Sequence, residues 1–416
     1  MRARAAGTLL RVCSPVTGEL AQEILVLSRL GMSTDEVSAG PVTPPARPAV
    51  PPAEPAAGTA VTEAAPGGPT ASGQAPPVRR EHRFDIDLLR VICACAVITG
   101  HVGGECMLAV GKSAENGRAV YWTGLFLDSV TSWAVPMYFA IAGWAVLVGA
   151  PPRNGGTLRK RSLRMIIPVG IWSAVYLLWG RLRDTNGGPT SKLALDALFG
   201  TVQPAFHLWY FYAHVPLILI LGFVMLLKAG KRPWGVVAAL VVISAGPTAF
   251  SDLARLTGWD VPRFGWQVGS YSLVYAVLGA LLLSLPATRR RHRGWWLAGA
   301  VAALGLVLWS QDRIHFVIPN ASIFVAALSV CVLFAANGVR IPERMRPTLT
   351  KLTDAGLGAF MFHVLLLKTI SPAFVSADRG WLGAAGAAAA LTVVTVVPSF
   401  GLSLLWGRFK LRRYLG

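Results

Sequence analysis

His101 ends an apolar run, Val91-Ile-Cys-Ala-Cys-Ala-Val-Ile-Thr-Gly-His101, with Arg90 just before the run and Glu105 four residues after the histidine. A neutral imidazole can take a proton from a hydroxyl near pH 7, and a nearby carboxylate can orient it and stabilise its charged form. On a helix, Glu105 at i+4 shares the face of His101. Arg90 and His101 are eleven residues apart, which on a helix leaves a rotation of about 20° and a rise of about 16 Å. Both side chains therefore fall on one stripe, one near a membrane edge and one deep inside. The bland alternatives are a packing histidine bonded to a backbone carbonyl and a carboxylate solvated at the rim. Depth favours the functional reading of His101, because ionisable groups inside a bilayer usually face a working cavity. Asp87, at i−3, is placed to neutralise Arg90.

Further candidates lie downstream. Arg159-Lys-Arg161-Ser-Leu-Arg164 precedes a long apolar segment. Such a cluster serves as a cytosolic anchor or as a clamp for phosphate oxygens, with Arg161 and Arg164 converging at i,i+3. His207-Leu-Trp209-Tyr opens another segment; His214, a few residues on, reads as an interfacial anchor. His363 falls mid-segment with Lys368 toward its outer end, and cavity lining and plain packing compete evenly there. Cys93 and Cys95 are two apart and point to opposite sides of a helix, and no His, Cys or Asp spacing amounts to a metal site. Neither standard glycine-rich phosphate loop is present.

The elements that must carry these residues are membrane helices. Of 416 residues, 54% are hydrophobic and only 14% are charged, well under the quarter or so of a soluble domain. The net charge of +19 gathers between apolar segments, which marks topology rather than a nucleic-acid surface. Segments of spanning length fall near 87–109, 122–149, 165–180, 206–227, 234–250, 266–285, 294–310, 319–336, 356–374 and 384–406. The expected fold is an all-α integral membrane bundle of about ten transmembrane helices, since only helices satisfy their backbone within such segments. The heavier loads of Lys and Arg (159–164, 289–293, 340–351, 408–413) alternate with lighter loops, which places both termini in the cytosol of a plasma-membrane protein. Residues 1–78 are rich in Pro, Ala and Gly and read as a disordered cytosolic tail. Residues 79–410 form the multi-span domain and 411–416 a basic C-terminus. Lys192 to Phe199, in the longest outer loop, is amphipathic and fits the interface plane.

Four stretches in order resemble acyltransferase family 3: Arg90 and His101 with ten residues between; Val135-Pro-Met-Tyr-Phe-Ala-Ile-Ala-Gly-Trp144; Arg161-Ser-Leu-Arg164 followed by Pro168; and His207-Leu-Trp-Tyr. The Ile-Asp-Leu-Leu-Arg90 start is most similar to the branch of surface-polysaccharide O-acetyltransferases. Ala142 stands where that family often has Ser, which removes a hydroxyl role there. The resemblance spans about 85–410. It implies an acyl-CoA co-substrate, usually acetyl-CoA, delivered from the cytosol, and a hydroxyl acceptor outside: a surface polysaccharide, a glycolipid or another metabolite. No metal and no nucleic acid is expected, and membrane lipid is the surrounding partner. In this reading His101 and Glu105 are catalytic and Arg90, Arg161 and Arg164 bind the donor. Tyr138, His207, Trp209 and His363 line the cavity, and Asp87 supports Arg90. The alternatives are a glycoconjugate exporter, which would favour internal repeats that this chain lacks, and a membrane scaffold recruiting partners through its tail.

Overall fold

The computed structural model describes residues 82–111, 117–200, 205–259, 261–262, 264–313 and 321–416. The expectations for the 1–78 tail lie outside the described residues. Among the described residues every regular element is helical. In chain order the α-helices are α1 (Phe84–Val110), α2 (Arg118–Thr131), α3 (Ala134–Trp144), α4 (Gly155–Leu182), α5 (Thr190–Leu198), α6 (Trp209–Lys228) and α7 (Trp234–Thr257). They continue as α8 (Ser270–Leu282), α9 (Arg290–Arg313), α10 (Ile323–Ala336), α11 (Arg346–Phe374), α12 (Trp381–Arg408) and α13 (Arg412–Leu415). Eight segments are long and apolar enough to cross a membrane, and the shorter apolar helices α8 and α10 occupy the remaining two expected places. The protein is thus a multi-pass helical membrane protein.

The second expected span is not one rod. Its chain forms α2, breaks at Ser132 and Trp133, continues as α3, and ends in a π-helical turn, Ala145–Gly149. At the break the Ser132 hydroxyl and amide both donate to the Ser129 carbonyl, at 2.8 and 3.3 Å.

Small residues set how closely the helices approach. A Cβ on Gly103 of α1 would lie 2.9 Å from the Asp128 amide nitrogen of α2, and one on Gly124 would lie 2.9 Å from Cys106. Gly143 of α3 and Gly279 of α8 lie so close to the backbones of Ala276 and Ala140 that no side chain fits. Such contacts are the usual currency of helix association in lipid, where dispersion and backbone proximity replace hydrophobic drive.

Helix α1 is the hub, packing on α2, α3, α11 and α12. Its start is clasped by segments far away in sequence. Arg83 donates to Asp85 (2.6 Å), to the Asn337 side chain (2.8 Å) and to the Leu283 carbonyl (3.1 Å). Asp85 in turn accepts the Gly338 amide at 2.8 Å. The bonded Asp85 carboxylate raises the Arg83 pKa above its ordinary value. The outer helices α7 and α9 present Trp234, Val241, Trp295 and Val301 outward, as lipid-facing surfaces should.

Candidate active site

Three histidines from three different elements meet inside the bundle. His101 comes from α1 and His363 from α11; His207 lies in a 3-10 turn, Phe206–Leu208, that opens α6. The rings of His101 and His363 stack at 5.2 Å between centres with 20° between planes. His207 stands across both, 6.5 Å from His101 and 5.2 Å from His363. Tyr176 of α4, Phe206 and Phe360 close the cluster, at 5.3, 5.9 and 5.5 Å from the His207 ring. His207 and His363 are buried, at 1% and 0% exposure.

The tight turn before α6 is what carries His207 inward, because it swings the chain into the helix axis within three residues. His363 is held by its own helix, with Nδ1 2.5 Å from the Phe360 carbonyl. The Tyr176 hydroxyl lies across one rung of α11, donating to the Met361 carbonyl (2.8 Å) and accepting from the Leu365 amide (3.1 Å). It thereby fixes the turn that bears His363. Both ring nitrogens of His207 and Nε2 of His363 find no hydrogen-bond partner among the described residues. A buried polar group left unpaired costs about 1–3 kcal/mol.

Glu105 is one turn above His101 but is not bonded to it. Its carboxylate is gripped by Lys368 Nζ at 2.5 Å and by the Ser371 hydroxyl at 3.3 Å, both from α11. Lys368 itself lies within electrostatic range of His101. Toward the start of α1, Arg90 is bonded to Asp87 at 3.3 Å, and His82 reaches the other Asp87 oxygen at 2.6 Å. Tyr138 spans the interval, its hydroxyl donating to the Arg90 carbonyl at 3.1 Å and its ring 5.9 Å from Tyr210.

The remaining expected residues stand apart from the imidazoles. Arg161 donates to the Ala150 carbonyl, Arg164 is exposed near the start of α4, and neither is bonded to Arg90. Trp209 is half-buried beside Tyr210. The expectation that His214 anchors at the interface is overturned. It is buried, with Nδ1 2.6 Å from the Tyr210 hydroxyl and its ring 6.2 Å from Phe139, because α6 is enclosed on most of its surface.

Other polar groups escaped the sequence reading. Asp128, in the middle of a span, accepts a hydrogen bond from Gln311 of α9 at 3.3 Å, and Asp85 anchors the clasp described above. The signal for Asp128 was present, a lone carboxylate inside an apolar segment. Among the described residues no group of His, Cys, Asp or Glu is placed to hold a metal ion.

Comparison with known proteins accords with this geometry. A family model described as an acyltransferase domain matches residues 83–404. The chain belongs to acyltransferase family 3, and it is a multi-pass membrane acyltransferase. It is similar to Nodulation protein 10 of Rhizobium leguminosarum bv. viciae, with 22% identity over 337 residues that cover 73% of this chain and 86% of that protein. No solved structure matches. As an acyltransferase the chain is an enzyme, and the exporter and scaffold alternatives are not carried forward.

Proposed function

We propose that the protein moves an acyl group, acetyl in the simplest case, from cytosolic acyl-CoA to a hydroxyl of an extracytoplasmic acceptor such as a surface polysaccharide or glycolipid. The observation that carries this reading is the position of His101. It lies among buried imidazoles, three turns along the same helix from a cation paired at the inner edge. His101 accepts the hydroxyl proton as the acceptor oxygen attacks the thioester carbon. Glu105, one turn along the helix, is paired with Lys368 and offsets the lysine charge that would otherwise oppose the imidazolium.

At the cytosolic side Arg90, steadied by Asp87, binds the phosphates of the donor together with Arg161 and Arg164, whose guanidinium forks suit phosphate oxygens. Tyr138, His207, Trp209 and His363 line the way between the two ends. Both termini lie in the cytosol of the plasma membrane in this arrangement.

The test replaces His101 with Ala and follows label transfer from radiolabelled acetyl-CoA to extractable material in membranes of the native host. Loss of the general base is expected to lower turnover by about 10²–10⁴-fold. Unchanged transfer would remove His101 from the mechanism.

A further inference from the structure

The three imidazoles of the cluster are not equivalent in what they can offer. A neutral imidazole carries one N–H and one lone pair. His101, as the base, presents a lone pair. In His363, Nδ1 sits 2.5 Å from the Phe360 carbonyl and therefore carries the proton, so its partnerless Nε2 is a lone pair as well. His207 differs. Both of its nitrogens are buried without a hydrogen bond of ordinary geometry; the Met361 carbonyl lies near its ring and is shared with the Tyr176 hydroxyl, which donates to it at 2.8 Å. Of the three rings, His207 is the one with both nitrogens buried and outside any hydrogen bond of ordinary geometry. Buried polar groups without partners are rare enough in native structures that each calls for a cause.

The separation suits one cause. His101 and His207 are 6.5 Å apart between ring centres. At that separation one small group presented to both rings can meet a nitrogen of each. We propose that His207 is the oxyanion donor of the reaction: its ring N–H holds the thioester carbonyl oxygen as negative charge develops there. The inference rests on the acyl-transfer reading above.

The step balances without any further reactant. A lone pair of the acceptor oxygen forms the new C–O bond while the hydroxyl proton passes to His101. The carbonyl π pair moves onto the oxygen that His207 holds. On collapse that pair re-forms the C=O bond, the C–S bond breaks, and the coenzyme A thiolate takes the proton from His101. Donors aimed in advance at the developing charge are typically worth more than any other single contribution in such reactions.

The experiment compares His207→Leu and His207→Gln with the unsubstituted full chain, using labelled acetyl-CoA and host membranes, with coenzyme A binding and thermal unfolding measured on purified protein. The leucine variant is expected to lose about 10²–10³-fold in turnover, with coenzyme A binding unchanged. The glutamine variant keeps an N–H donor and is expected to recover at least about tenfold over leucine. A merely structural histidine would make leucine less stable. A donor kept unpaired for catalysis makes leucine at least as stable as the parent, since an unsatisfied polar group is exchanged for an apolar one. Retained transfer by His207→Leu overturns the oxyanion role alone, and so does a glutamine variant as inactive as leucine while both fold and bind coenzyme A. Absence of transfer by the unsubstituted chain overturns the acyl-CoA reading and this inference together.

Discussion

The Tyr176 hydroxyl does two things with one oxygen. It bridges the Met361 carbonyl and the Leu365 amide of α11, and its ring lies against His207. Removing the hydroxyl leaves that amide and that carbonyl four residues apart on the same helix, where they can bond directly to each other. Tyr176→Phe is therefore expected to shift stability by less than about 1 kcal/mol, because neither backbone group ends unpaired. The turn bearing His363 relaxes when the rung closes, so turnover should fall by about tenfold or more, as a misplacement at a reacting centre does. Thermal unfolding and acyl transfer on the same preparation check this. A large loss of stability with turnover intact would contradict it.

At the scale of elements, the close contact of α3 and α8 has no room for even a methyl group. Gly143→Ala is expected to destabilise the bundle by about 1–3 kcal/mol through overpacking against the Ala276 backbone. Gly386→Ala on α12, where nothing lies within 4 Å, serves as the control and should be neutral or slightly stabilising. The readout is the thermal midpoint of each variant in detergent, and equal midpoints would refute the packing argument. The helices themselves were legible from hydropathy, since each apolar run summed to a span. The break at Ser132–Trp133 had its signal in Pro136, which has no N–H for the Ser132 carbonyl and sits in the first turn of α3, but hydropathy alone runs across it. Helices α8 and α10 came out shorter than their apolar runs, at 13 and 14 residues. His101, His207 and His363 were legible by type and depth. That His207 turns inward rather than edging the interface depends on the 3-10 turn before α6, which no periodicity announces. The Lys368 grip on Glu105 joins residues 263 positions apart, beyond what spacing on one helix can reveal.

For the whole molecule, the distribution of Lys and Arg sets the expected orientation. Asp378, in the turn after α11, and Arg344, in the loop before it, fall on opposite sides of the membrane, and both are exposed. With Cys13 replaced by Ser, the other cysteines are buried or half-buried. A membrane-impermeant thiol reagent on intact cells is then expected to label Asp378→Cys at once and Arg344→Cys only after permeabilisation. The reverse pattern would invert the topology and place the arginines outside.

The clasp at the start of α1 bears on the order in which the protein is made. Arg83 leaves the ribosome 254 residues ahead of Asn337, the side chain that completes its bonding. Throughout that interval the start of the first helix is tied only by Arg83 to Asp85 and, once it is made, to the Leu283 carbonyl. Final seating of the first helix is thus a late event in biogenesis, one that waits on the eighth apolar segment, and a nascent chain cut short before that point lacks the Asn337 and Gly338 half of the clasp.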